Sequence, residues 1–302
     1  MIFLLIATLC TTSLNILFKI SANKKSNSYA VSTFNCLSAT LVSYIFIFGQ
    51  KIFNISWFGA FSAEFSGLIS TGTKFSSEAS PAFAIIIAIL AGIISYICIY
   101  ILQLSTARNG TAMTITFNKV GVMIPAILSV VFFKETPHAI QIVGVAIAML
   151  AIVMVYFKKE ETNVITLKAA LFGTMFFGGF LDFISKVYEY YGAEQFQGLF
   201  VFYLYLFSTI LAVIAMMKKN RSIKVSDILF GLLTGIPTQF ISIFLLKSLT
   251  TVPAFIAFPL YSVGAILLVN IINLIFFKEK LSKRQYAAIG MLIVATVLLT
   301  TS

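Results

Sequence analysis

Charge is what this chain has least of. Only 10% of its 302 residues are Asp, Glu, Lys or Arg, against about 25% in an ordinary soluble domain. Acid is scarcer than base, with 10 carboxylates against 21 Lys and Arg. A water-soluble globule needs a polar shell that this composition cannot supply. A disordered chain needs low hydrophobicity, whereas 60% of these residues are hydrophobic. Histidine occurs once, at His138, which rules out a His-based metal cluster. The three cysteines, Cys10, Cys36 and Cys98, fall inside apolar runs and read as small core hydrophobes rather than disulfide or zinc partners. There is no nucleophile elbow. The run from Gly67 to Lys74 fails as a phosphate loop because Thr73 separates Gly72 from Lys74. No enzyme chemistry is indicated, and no cofactor or metal is expected.

Long apolar blocks fill the chain instead, and the mean hydropathy is +1.02. Stretches of this length are the signature of a polytopic helical membrane protein. The alternating segments of about ten residues that build a transmembrane barrel do not occur. Ten spans are predicted, at about 2–22, 29–48, 82–104, 111–133, 139–157, 166–188, 197–217, 227–247, 253–277 and 285–301. The first run, from Met1-Ile2-Phe3-Leu4, has no basic n-region. Leu9 is too large for lipoprotein-type cleavage before Cys10, so this run is expected to remain as span 1.

One connection, about 49–80, is long and mixed in polarity. Trp57, Phe58, Phe61, Phe65, Leu68 and Ile69 share a helical face, opposite Asn54, Ser62, Glu64 and Ser66. That pattern predicts an amphipathic helix lying in the membrane interface, with an eleventh span as the rival. An internal repeat decides between them. Phe132-Phe133-Lys134-Glu135 recurs as Phe276-Phe277-Lys278-Glu279, and Leu14-Asn15 with Lys19-Ile20 recurs as Leu181-Asp182 with Lys186-Val187. Lys19 and Glu135 are 116 positions apart, and Lys186 and Glu279 are 93 apart. The excess of 23 equals the excess of the 49–80 loop over its counterpart at 218–226. The insertion is therefore a loop, and each half, 1–160 and 161–302, holds five spans. Five is odd, so the halves are expected to be inverted with respect to one another, as in many secondary transporters.

Fifteen basic residues sit at or beside the odd-numbered connections, among them Lys24, Lys25, Lys158, Lys159, Lys218 and Arg221. Only Lys51, Lys74, Lys134, Lys186 and Lys247 belong to the even-numbered ones. The positive-inside rule then puts the odd connections in the cytoplasm and both termini outside a cell (inner) membrane. Basic residues placed in this way are orientation signals, so no nucleic-acid partner is expected.

The segment Asn118-Lys119-Val120-Gly121-Val122-Met123-Ile124-Pro125, followed by Phe132-Phe133-Lys134-Glu135 and Gln141-Ile142-Val143-Gly144, resembles the EamA-type drug/metabolite transporter superfamily. So do Gly231-Leu232-Leu233-Thr234-Gly235-Ile236-Pro237, Phe258-Pro259-Leu260 and Phe276 to Ser282. The resemblance covers nearly the whole chain apart from the insertion. It implies ten helices in two inverted five-helix halves, a central cavity lined by spans 1, 3, 4, 6, 8 and 9, and alternating access without ATP. Substrates across the superfamily include amino acids, nucleobases, choline-like compounds, sugar phosphates and drugs. Members usually have both termini in the cytoplasm, the reverse of what the loop charges indicate here.

Ionisable residues inside spans are costly, at roughly 2.5–3.5 kcal/mol on insertion scales, and so mark function by default. Lys119 is the most central. It suits a substrate carboxylate or phosphate, or a titrating role; alternatively, it is a structural ammonium paired with an acid such as Asp182. Asp182 suits a substrate amine or a coupling proton, or else an i,i+4 pair with Lys186. Its counterpart in the repeat is Asn15, on a polar stripe with Thr8, Thr11 and Lys19. Gly178, Asp182 and Lys186 form the matching stripe on span 6. Thr234, Thr238, Gln239 and Ser242 on span 8, and Tyr261, Ser262, Asn270 and Asn273 on span 9, are further cavity candidates. Such hydroxyls and amides more often glue helices together. Gly231 and Gly235 mark close packing, and Pro237 and Pro259 are expected to interrupt their spans. Glu135 and Glu279 are expected to cap or anchor helices.

The expected site is thus Asn15, Asn118, Lys119, Asp182, Lys186, Thr238, Gln239, Tyr261 and Asn270. The expected function is secondary transport of a small polar or amphipathic metabolite, amino-acid-like by preference, with proton coupling equally compatible. The alternative is a membrane scaffold or sensor that kept the fold. The partners expected are a small-molecule substrate, the lipid bilayer and, under coupling, protons, for a monomer or homodimer.

Overall fold

The computed structural model describes residues 1–23, 26–109, 111–156, 168–218, 223–275 and 282–301. The side chains of Lys19 and Asn273, the second motif copy at Phe276–Glu279 and most of the basic residues in the odd connections lie outside the described residues.

All regular structure among the described residues is helical. In chain order the helices are α1 (Ile2–Asn23), α2 (Ser28–Phe46), α3 (Ser56–Thr71), α4 (Ser80–Asn109), α5 (Thr111–Val120), α6 (Met123–Phe133), α7 (Ala139–Tyr156), α8 (Lys168–Tyr191), α9 (Gln197–Lys218), α10 (Val225–Leu249), α11 (Ala254–Ile275) and α12 (Lys283–Thr300), with a 3-10 turn at Glu194–Phe196. Among the described residues, seven helical stretches are long and apolar enough to cross a membrane: Ser28–Phe46, Ser80–Thr106, Met113–Phe133, Lys168–Tyr191, Glu194–Lys218, Val225–Leu249 and Ala254–Ile272. Ile2–Phe18 and Ala139–Val155 are shorter apolar helices. The chain is an all-α protein suited to a bilayer.

The predicted fourth span is two helices rather than one. Pro125 has no N–H to offer the carbonyl of Gly121. That carbonyl takes the Ile124 N–H instead, at 2.9 Å, and the Val122 N–H turns back to Lys119 O at 3.3 Å. Two such three-residue bonds in succession separate α5 from α6. Pro237 and Pro259 behave differently from expectation, since α10 and α11 run straight through them. The break falls where a proline is preceded four residues earlier by a glycine pressed against another helix. Neither Leu233 nor Phe255, at the same offset from the other prolines, offers that freedom.

The described chain forms two compact units. One comprises Met1–Thr12, Ile97–Phe183 and Thr251–Ser302; the other comprises Ser13–Tyr96 and Ile184–Thr250. The division falls inside α1, α4 and α8.

In the second unit α2 packs on α9 and α10. A Cβ on Gly231 would fall on Phe34 Cβ, and one on Gly235 would fall on Asn35 O and Ser38 Cβ, so backbone meets backbone along this seam. Polar side chains close it. Asn35 Nδ2 donates to Thr238 Oγ1 at 2.9 Å, Ser38 Oγ donates to Leu232 O at 2.8 Å, and Ser43 Oγ lies 2.7 Å from Gln239 Oε1. α3 has 16 residues and rises about 24 Å, short of a hydrocarbon core of about 30 Å. It is held to this unit by rings: Phe61 lies 5.1 Å from Phe75, Phe75 4.7 Å from Phe83, Phe83 5.9 Å from Tyr188, and Tyr188 stacks on Phe200 at 4.4 Å. Glu64 adds a hydrogen bond from the Ser76 N–H at 2.8 Å.

In the first unit α7 packs on α12 and α11 on α6. Ala148, Ala151, Ala288 and Ala295 are fully buried. A Cβ on Gly144 would come within 3.1–3.2 Å of Leu298 and Leu299.

Gly235→Leu tests the α2–α10 seam. It should lower the melting temperature by about 5 °C or more, because the side chain has no space and overpacking costs about 1–3 kcal/mol or more. Gly290→Ala, where a Cβ meets nothing within 4 Å, should leave the melting temperature unchanged or slightly raised. Equal behaviour of the two variants in a thermal melt would contradict the seam.

Candidate functional site

The break after α5 leaves Lys119 in the last turn of a short helix. There its ammonium complements the negative end of the helix dipole. Neighbouring contacts hold the break in place. A Cβ on Gly121 would fall on Met175 O, and one on Gly179 would fall on Gly121 O, so α8 and the break touch through main chain. Asn118 Nδ2 donates to Thr174 O at 3.4 Å, and Phe117 meets Phe172 edge-on at 5.5 Å. One turn beyond Gly178, whose missing Cβ leaves room for Asn118 Nδ2 and Cys98 Sγ, stands Asp182.

Tyr261 of α11 supplies the next wall. The Lys119 Nζ lies 5.9 Å from its ring centroid, near the outer limit of about 6 Å for a cation–π contact. The phenol oxygen is hydrogen-bonded to Thr11 Oγ1, and Thr11 Oγ1 also donates to Ala7 O at 3.0 Å. One turn away on each helix, a Cβ on Gly264 would stand 2.9 Å from Thr8 Cγ2. The missing side chain at 264 thus lets α11 lie close against α1.

Lys119 and Asp182 feel each other's charge. Each keeps accessible surface and is only half-buried. Among the described residues neither has a hydrogen bond or ion pair. A cation–π contact is worth about 0.5–2 kcal/mol, less than the roughly 2.5–3.5 kcal/mol cost of a central lysine; the Asp182 charge and the carbonyl end of α5 offset part of the remainder. Cys98, read from sequence as a core hydrophobe, is likewise half-exposed and within electrostatic reach of Asp182. The result is a polar cluster in one unit, a candidate chamber. It holds a cation and an anion that are not in contact, an amide, a thiol and a tethered aromatic ring. Such a chamber can hold a small ligand that carries charge of either or both signs.

The structure therefore brings Asn118, Lys119, Asp182 and Tyr261 together. Asn270 belongs to the same unit, but it is buried and its Nδ2 donates to Ile266 O at 2.8 Å in its own helix. Asn15, Lys186, Thr238 and Gln239 belong to the other unit. Thr238 and Gln239 serve the seam with α2. Lys186 is buried and its Nζ bonds Glu189 Oε2 at 2.7 Å, so the acid expected four residues before it is replaced by one three residues after. Asn15 is half-buried on α1. Cys98 carried no sequence signal, because its neighbours one turn away include Ile94, Ile101 and Leu102.

Glu135 caps a helix, as expected. Lys134 adopts a left-handed conformation with φ 55° at the end of α6. The next residue's carboxylate accepts the N–H groups of Ala254 and Phe255 at 3.0 and 3.1 Å. This fixes the start of α11, two turns before Tyr261, at the positive end of its dipole.

No protein-family profile matches the chain. It is 22% identical over 292 residues to an uncharacterised protein of Haemophilus influenzae, covering 95% of this chain and 93% of that one. A protein solved by crystallography superposes with a TM-score of 0.71 at 10% identity, over 99% of this chain and 95% of its own. The two share a fold.

The accessible surface of Cys98 makes a chemical prediction. In a Cys10→Ala background, a charged methanethiosulfonate reagent should modify Cys98, while Cys36, 1% exposed, stays unmodified. Mass spectrometry reads both sites, and an inert Cys98 would mean that the chamber is dry or closed.

Proposed function

We propose that the protein is a secondary transporter of small polar or amphipathic metabolites, with an amino-acid-like substrate favoured. It would work by alternating access in a cell membrane. The observation that carries the reading is the pair Lys119 and Asp182, opposite charges in one chamber with no direct bond between them. A carboxylate suits Lys119 and an amine suits Asp182, so a zwitterion satisfies both. Proton coupling through Asp182 is compatible with the same geometry.

The proposed architecture is ten spans in two inverted halves, with α5 and α6 counted as one span and α3 as none. Local packing supports it. Equivalent helices of the two halves touch each other, namely α2 with α9, α6 with α11 and α7 with α12. Non-equivalent contacts recur too. Gly235 of α10 is pressed on Asn35 and Ser38 of α2, and Gly92 of α4 is pressed on Leu204 and Phe207 of α9. Gly92 lies 43 residues before Glu135, and Gly235 lies 44 before Glu279, so the same contact occurs at almost the same place in each half. The interrupted span beside the charges is a feature that transporters use to expose backbone at a binding site. The resemblance of 118–125, 132–135 and 231–237 to EamA-type transporters points the same way.

Lys119→Met tests the function. In proteoliposomes loaded with an amino-acid mixture, the wild type should move at least one component. The variant should lose transport by tenfold or more while melting within about 3 °C of the wild type, because the ammonium it loses forms no ion pair with a protein acid among the described residues. Normal transport per folded variant molecule would remove Lys119 from the mechanism. A wild type inert towards every substrate class would favour the scaffold or sensor reading.

The loop charges also orient the chain. A cysteine placed at Asn54 should be labelled by an impermeant reagent from outside intact cells, and one at Lys224 only after permeabilisation. The reverse pattern would invert the topology.

A further inference from the structure

Opposite charges attract each other more strongly as their separation and the effective dielectric fall. Lys119 and Asp182 interact across space but form no ion pair among the described residues. Backbone distance is not the reason. The break beside Lys119 and the α8 turn before Asp182 touch through Gly121, Met175 and Gly179, and a lysine side chain is long enough to cross such a junction. What stands beside the Lys119 ammonium is an aromatic ring. The ammonium lies over the Tyr261 ring at 5.9 Å. The ring in turn is tethered at its far end. The phenol oxygen shares a hydrogen bond with Thr11 Oγ1, which is itself hydrogen-bonded to Ala7 O. The close α1–α11 approach at Gly264 sets that bond one helical turn away.

We propose that Tyr261 is a positioning residue that works as a spacer: its tethered ring holds the Lys119 ammonium off the Asp182 carboxylate, so that the cation and the anion remain separately open to a ligand. Loss of the ring lets the lysine swing onto the aspartate, and the chamber closes on itself. This concerns the same chamber as the proposed transport but can be tested without any substrate.

The test is a set of double-mutant cycles read by thermal melting of the full-length protein in lipid nanodiscs, with no ligand added. Lys119→Met and Asp182→Asn are combined singly and together in the wild type and in the Tyr261→Leu background. In the wild type the two residues should be nearly additive, with a coupling of about 2 °C or less. In the Tyr261→Leu background the coupling should rise to about 5 °C or more, as residues brought into contact cease to be additive. A ring with a purely structural role would lower every melting temperature alike and leave the coupling unmoved, which would overturn the proposal. Tyr261→Phe and Thr11→Val, which keep a ring but cut its tether, should give intermediate couplings. If Tyr261→Leu does not fold, these two carry the test, and a coupling no larger than in the wild type in both would overturn the spacer. Because no substrate enters the measurement, failure of transport and failure of the spacer are separate results.

Discussion

Water is absent from the hydrocarbon core of a bilayer, so a polar atom carried there must find its partner within the protein. Most of what is distinctive about this chain follows from that constraint. Its hydroxyls turn back on their own helices: Thr8 donates to Leu4 O, Thr12 to Thr8 O, Thr40 to Cys36 O and Thr296 to Leu292 O. Those that do more than this tie two helices together, as Thr40 does with Thr209 at 3.0 Å and Tyr205 with Ser242. Helix starts have the same need. One carboxylate in each unit meets it, Glu135 at α11 and Asp227 at the Asn27 N–H that leads into α2. Against this background a lysine and an aspartate with no direct bond among the described residues single out their surroundings as a candidate site.

Close approach of backbones is the second consequence. The hydrophobic effect does not drive two apolar helices together inside lipid, so packing must come from shape and short polar contacts. Gly92, Gly121, Gly179, Gly231 and Gly235 each stand where a Cβ would strike another helix. Gly121 does this at the same place where Pro125 disrupts hydrogen bonding. A single junction thereby ends α5, admits α8 and leaves Lys119 at a helix terminus.

Much of this was legible in the sequence. The helical class, the extent of nearly every helix and the glycine seam of α10 follow from apolar length and small-residue spacing, which are local properties. Lys119, Asp182 and Asn118 were legible for the opposite reason, since polar residues are conspicuous where the rest is apolar. The failures were relational. Pro125, which breaks its helix, differs from Pro237 and Pro259, which do not, by the glycine four positions earlier, but that signal acquires meaning only once α8 is seen to press on Gly121. Thr238 and Gln239 look like cavity residues until α2 is placed beside them. Lys186 has an acid at both i−4 and i+3, and helical spacing alone does not choose between them. Cys98 shows no polarity of its own and acquires meaning only through Asp182.

The place of the tryptophan has a consequence for spectroscopy. Trp57 is the only indole among 302 residues, and it sits on α3. The chain of rings from Phe61 through Phe75 and Phe83 to Tyr188 joins α3 to the last turns of α8. Tryptophan emission from this protein therefore comes from a single known place. It reads the surroundings of α3 with no background from the spanning helices, and does so without labels or engineered residues.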